Sequence, residues 1–191
     1  MKKHLITAFL MTIATTILLG VIYPLVITAV AQLLFKDKAN GQIRYRNGEA
    51  IGSRIIGQPF VSAKYFHSRP SAAGNGYDAA NSGGTNYAPT NQKLIDRIRS
   101  DAGSLHQENP AQLIPVDLLT TSASGLDPEI SPAAAEFQIP RIARERAIPE
   151  SAVRDLVTKH TYQRELGLLG ETRVNVLELN LALDDPAVTH R

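Results

Sequence analysis

At 191 residues the chain is long enough for one ordinary domain and too short for two well-buried ones. With 43% apolar and 20% charged residues it is no disordered polyelectrolyte, and without cysteine it holds no disulfide, thiol nucleophile or Cys-ligated zinc. The net charge of +2 comes from Lys2 and Lys3 alone, since the other basic residues and all 18 acidic ones cancel within 36–191, so the pI implies no nucleic-acid-binding face.

From Leu5 to Phe35 no residue is Asp, Glu, Lys, Arg or His. A run of that length exceeds the roughly 20 residues needed to cross a bilayer core and reads as a transmembrane helix. A cleaved signal peptide is the competing reading, with Ala29-Val30-Ala31 as the small-x-small site. The apolar run before that site is longer than the about 7–15 residues of such a peptide, and Gln32-Leu33-Leu34-Phe35 continues it. Lys2 and Lys3 face Lys36 and Lys38 across the span, so charge alone is nearly balanced. A short N-terminus before a first span favours an N-inside orientation, with the remainder extracytoplasmic. Within the span Ala8, Thr12, Thr16 and Gly20 recur every fourth residue and form a small-residue face for helix packing. Pro24 removes a backbone donor and is expected to kink the helix.

The expected organisation is therefore α+β: residues 1–35 as a cytoplasmic tip and one transmembrane helix, then 36–191 as a single mixed α+β extracytoplasmic domain. Asn47-Gly48, between Gln42–Arg46 and Glu49–Gly52, predicts a hairpin with a type I′ turn. Residues 54–61 predict a short edge strand interrupted by Pro59. From Ser68 to Asn91 the Gly, Ala, Ser, Asn and Pro content predicts a long ordered loop. Asn91 caps an amphipathic helix carrying Leu94, Ile95, Ile98, Ala102 and Leu105 inward. Val116–Thr121 predicts a strand. Ser131 with Pro132 opens a helix expected to stop or kink at Pro140. A further helix starts near Pro149 and turns Val153, Leu156 and Val157 inward. Val174–Leu183 is read as a strand whose buried face switches at Val176-Leu177, calling for a bulge.

Little of this is catalytic. The histidines lie scattered at 4, 67, 106, 160 and 190, and the chain has no Gly-x-Ser-x-Gly elbow, His-Glu-x-x-His or metal-spaced histidine pair. His67 reads as a hydrogen-bonded loop histidine. Asn81–Asn86 offers backbone amides but no Walker lysine, and glycines at tight turns explain it better. Asp127, Glu129 and Glu136 lie in a stretch without a base between Arg99 and Arg141, which reads as a solvated face, with a cation-attracting surface as the alternative.

Several segments together resemble one family. They are Gly20–Pro24, Gly52-Ser53, Ile56–Phe60, Tyr65–Ala72, Tyr77-Asp78, Ser82–Asn86, Ser124–Pro128, Ile130–Ala134, Gln138–Arg141 and Val174–Asn180. In order, and over nearly the whole chain, they resemble the C subunit of the bacterial Kdp-type potassium-transporting P-type ATPase. The resemblance implies a non-catalytic accessory subunit of the inner membrane. Its partners would be a potassium-channel-like subunit, the P-type ATPase subunit and a small membrane subunit. It further implies a part that stabilises the assembly and acts as a catalytic chaperone, raising the ATP affinity of the hydrolytic subunit, with ATP as a shared cofactor. Ser82, Gly83 and Gly84 are similar to the signature serine and glycines of ABC-type ATPases, and Gln138 is the kind of group that touches a ribose. No Asp-Lys-Thr-Gly phosphorylation sequence occurs. Catalytic residues and metal ligands are expected to be none. The leading reading has the helix pack through its small-residue face on the pump's membrane part and the domain cover the outer entrance of the potassium pathway. The rival readings are a membrane-anchored extracytoplasmic hydrolase using Ser124 or Ser82 with His67, and a secreted binding domain.

Overall fold

The computed structural model describes residues 1–185; His190 lies outside them. The chain divides into two compact units, Met1–Ile43 and the part from Arg44 onward.

In the first unit α1 (Lys2–Ile17), a π turn (Leu18–Ile22) and α2 (Tyr23–Leu34) run on as one apolar helix of 33 residues. At 1.5 Å per residue it is about 50 Å long, against a hydrocarbon core of about 30 Å. Pro24 does not break it. The amide of Tyr23 reaches back five residues to the Leu18 carbonyl, and the widened turn makes room where the proline ring meets the preceding turn. On the small-residue face, the Thr12 hydroxyl donates to the Ala8 carbonyl at 2.9 Å. A Cβ added at Gly20 would meet only the Thr16 methyl, at 3.9 Å. A single-turn α3 (Lys36–Ala39) follows.

The expected hairpin follows, β1 (Ile43–Arg46) and β2 (Glu49–Ser53), with positive φ at both Asn47 (53°) and Gly48 (85°), as a type I′ turn requires. Residues 54–56 form a turn and 57–61 have no regular structure, so the expected strand is absent there. α4 (Gln92–Glu108) is capped by Asn91, whose side chain accepts from the Lys93 amide. Its apolar face is only half-buried. Instead of a strand, Val116–Leu118 is a 3-10 turn, from which Asp117 accepts the Ser131 amide and hydroxyl and so fixes the start of the next helix.

That helix, α5 (Pro132–Arg146), is the centre of the core, burying Ala134, Ala135, Phe137, Ile139, Ile142 and Ala143 among others. It continues past Pro140 without ending. An interior proline costs about 3 kcal/mol, while burying Ile139 and Ile142 contributes about 1.5–3 kcal/mol each, so packing wins. α6 (Glu150–Lys159) packs Val153, Leu156 and Val157 inward as expected. A small antiparallel sheet of β3 (Glu129–Ile130), β4 (Thr161–Tyr162) and β5 (Arg173–Asn175) has the order β3-β5-β4, with Ile130 and Thr161 both opposite Val174.

The segment read as one bulged strand is two elements. β5 ends at Asn175, whose side chain caps α7 (Val176–Leu183) by accepting the Glu178 amide at 3.1 Å. The phase switch marks the strand-to-helix joint: Val176, Leu177, Leu179, Asn180 and Leu183 are buried at helical spacing, while Leu181 is only half-buried.

Candidate functional site

The most ordered polar feature of the second unit is the stretch Ala63–Arg69, which turns at Ala63–Tyr65 and runs on without regular structure, belonging to no sheet. Buried backbone groups need partners, and here side chains supply them. Asn180 accepts the Phe66 amide (2.8 Å) and donates to the Phe66 carbonyl (2.9 Å). Gln138 treats His67 the same way, at 2.8 and 3.1 Å. Arg141 donates to the carbonyls of Ala63 and Tyr65 and pairs with Glu108 at 2.8 Å; Arg146 donates to Lys64 at 2.7 Å. Two helices thus stand in for a neighbouring strand. Asn180 and Arg141 escaped the sequence reading, although a polar residue inside an apolar helical run (Leu179-Asn180-Leu181, Ile139–Ile142) was the available signal.

Beyond Arg69 three loops are knotted together. Arg69 pairs with Asp127 at 2.9 Å, and the Tyr77 hydroxyl donates to the Arg69 carbonyl. Ser71 donates to the Gly125 carbonyl at 2.6 Å and accepts the Tyr77 amide at 2.7 Å. The Gly57 amide donates to Leu126, and the Gly83 amide to Ser124. Backbones this close admit no side chain: a Cβ on Gly57 would stand 2.6 Å from the Asp127 carbonyl oxygen, and one on Gly84 3.0 Å from that of Ala123.

The residues matched to nucleotide binding fall in two places. Ser82, exposed, donates its hydroxyl to the Ser124 carbonyl at 3.0 Å, and Gly83 and Gly84 seat that loop on residues 122–124. Gln138 is 1% exposed and donates also to Ala134 while accepting from Arg141, so its amide is spent inside the fold. It borders a cavity of about 250 Å³ with His67, Arg69, Tyr77, Ser104 and Glu108.

The acidic stretch is neutralised: Asp127 by Arg69, Glu129 by Arg173 at 3.0 Å and Glu136 by Arg154 at 2.7 Å. Asp127 and Glu129 border a groove of about 510 Å³. Among the described residues no group of histidines and carboxylates is arranged to hold a metal. His67 turns its Nε2 to the Ser62 carbonyl at 3.1 Å, while Ser82 and Ser124 make their contacts within the other loops.

Burial, and then the positive charge of Arg141, hold the His67 pKa below its ordinary 6.5. The unfolded chain therefore takes up a proton near pH 6.5 that the folded chain takes up only at lower pH. Stability from this group is complete above that value and is lost as pH falls through the window below it. Urea midpoints are expected to drop between about pH 7.5 and about pH 5.5, and to drop less in His67→Asn. An unaltered slope in the variant would remove His67 from the account. His160, also lowered, first by burial, supplies part of what remains.

The family described as K+-transporting ATPase, c chain, matches residues 5–185. The chain belongs to that family. Relatives named "Potassium-transporting ATPase KdpC subunit" match over nearly their whole length. That of Koribacter versatilis is 66% identical over 184 residues, covering 96% of this chain and 95% of the relative. That of Acidobacterium capsulatum is 56% identical over 182 residues, covering 95% and 98%. That of Rhodopseudomonas palustris is 50% identical over 196 residues, covering 96% and 98%. The family match takes in the apolar helix and the folded unit together, and the clamp of Ala63–Arg69 and the three-loop knot both lie inside it.

Proposed function

We propose that the chain is the single-span accessory subunit of a potassium-transporting ATPase: it stabilises the assembly and raises the ATP affinity of the hydrolytic subunit without turning over substrate itself. The observation that carries this reading is the family match, which runs unbroken from the anchor into the folded unit. The partners are the channel-like, P-type and small membrane subunits. The short segment before the span, with Asp37 diluting the lysines on the far side, supports an N-inside orientation in the inner membrane, with the folded unit outside, covering the entrance of the potassium pathway. From there the effect on ATP passes through subunit contacts. The internal use of the Gln138 amide supports that route over direct contact of this residue with nucleotide.

The Ala8, Thr12, Thr16 and Gly20 face packs against the pump's membrane part, where small residues let helix backbones approach. Gly20→Leu is expected to cut recovery of the pump on a tagged chain several-fold and to raise the ATP concentration for half-maximal hydrolysis. Unchanged recovery would remove the packing face. Unchanged ATP dependence in preparations from which this subunit has been lost would remove the chaperone role.

A further inference from the structure

β4 and β5 leave the small sheet as an arm that closes in a tight turn. Glu165 and Leu169 exchange both backbone hydrogen bonds at 2.9 Å, and the amides of Gly167 and Leu168 turn back to Arg164 and Glu165 at 3.1 Å. Leu166 (φ 53°) and Gly167 (φ 74°) take left-handed backbone at the apex. The turn presents Leu166, Leu168 and Leu169 at 89%, 81% and 62% exposure, three leucines within four positions, where Val61 stands alone and Leu113 and Val116 make only a pair. The stalk beneath is paired charge: Arg164 with Glu171 at 3.3 Å, and Arg173 with Glu165 at 3.2 Å and Glu129 at 3.0 Å. From Leu166 to Gly170 there is no charge and no side-chain hydrogen-bonding group. The result is an ordered aliphatic cap on a neutral stem.

We propose that this cap, Leu166, Leu168 and Leu169, inserts into the lipid surface to which the chain is anchored. The covalent tether favours lipid over a protein pocket. Residues 35–43 join the apolar helix to the folded unit and reach at most about 32 Å fully extended. The unit's first residue, Arg44, is ion-paired to Glu178 in α7, which continues β5 without a break, so the tether meets the domain near the root of the arm. From Thr161 to Leu166 the arm adds about 17 Å. A tether of that length holds the folded unit at the high effective concentration over the bilayer that tethering provides. Three leucines are far less than the roughly 800 Å² a protein partner needs for an independent interface, yet enough for a tethered apolar contact that requires no matching shape.

This inference rests on the anchor reading, and the test separates the two. Because the chain has no cysteine, Leu168→Cys carries a single spin label. The full-length chain, reconstituted alone into phosphatidylcholine vesicles, is washed with salt and probed by collision with oxygen and with a water-soluble nickel chelate. Oxygen should dominate at 168 and nickel at Val61→Cys, and adding Leu166→Asp should return the label at 168 to water. A label at 168 as open to nickel as that at 61, on vesicles that keep the chain through the wash, overturns the insertion and leaves the anchor standing. Shielding that appears only when the other pump subunits are present makes it a protein contact and overturns it equally. Loss of the chain in the wash overturns both readings.

Discussion

Asn180→Ala is expected to destabilise the folded unit by about 2–6 kcal/mol, because each buried backbone group deprived of its partner costs about 1–3 kcal/mol and this substitution orphans two. Phe66 is wholly buried, Asn180 is 2% exposed, and no strand stands ready to replace the amide that holds both the Phe66 amide and carbonyl. Against a stability of about 5–15 kcal/mol for an ordinary domain, that is a large share. Asn180→Asp keeps the acceptor but loses the donor and buries a charge, so it should not rescue. Urea unfolding followed through the tyrosine signal checks this, with Glu171→Ala, at an exposed side chain, shifting the result by no more than about 0.5 kcal/mol. A loss below about 1 kcal/mol for Asn180→Ala would mean that the clamp is not what holds Ala63–Arg69.

Gly125→Ala is expected to cost about 2–5 kcal/mol, summing left-handed backbone at a residue with a Cβ and the overpacking of a contact that cannot yield. Gly125 has φ 67°, and its Cβ would stand 2.6 Å from the Ala73 nitrogen and 2.7 Å from the Gly83 carbonyl oxygen. Both neighbours are backbone, so the loops 71–84 and 122–128 must part, and protease cleavage within 71–84 should rise. Gly103→Ala in α4 meets nothing within 4 Å and should instead stabilise by about 0.5–1 kcal/mol. Equal effects at the two glycines would refute the three-loop knot.

These two substitutions also mark how far the residues could be read. Ser82-Gly83-Gly84 resembles a nucleotide signature, but in the fold its amide and its missing side chains serve contact with Ser122–Ser124. Nothing within the segment announces that partner, which lies some 40 residues away. The burial of Gln138 and its engagement with His67 exist only once α5 packs on the Ala63–Arg69 stretch, so neither is visible in the local residues. Asp127, Glu129 and Glu136 looked like an acidic face because Arg69, Arg173 and Arg154, which neutralise them, come from other elements.

By itself the sequence determined whatever rests on local patterns. The apolar helix, the Asn47-Gly48 hairpin, the caps at Asn91 and Ser131, the inward face of α6 and the membership carried by ordered motifs were all legible. Tertiary structure decided the rest, wherever two local signals competed. Pro140 stays within α5 because burial of its neighbours outweighs one lost hydrogen bond. Val176–Leu183 is a helix because Asn175 caps it and Asn180 must reach Phe66, although its alternating leucines also suit a strand. The roles of Asn180, Gln138, Arg141 and Gly125 belong to partners distant in the chain, and a hydrogen bond or close approach between distant segments leaves no periodicity in either one.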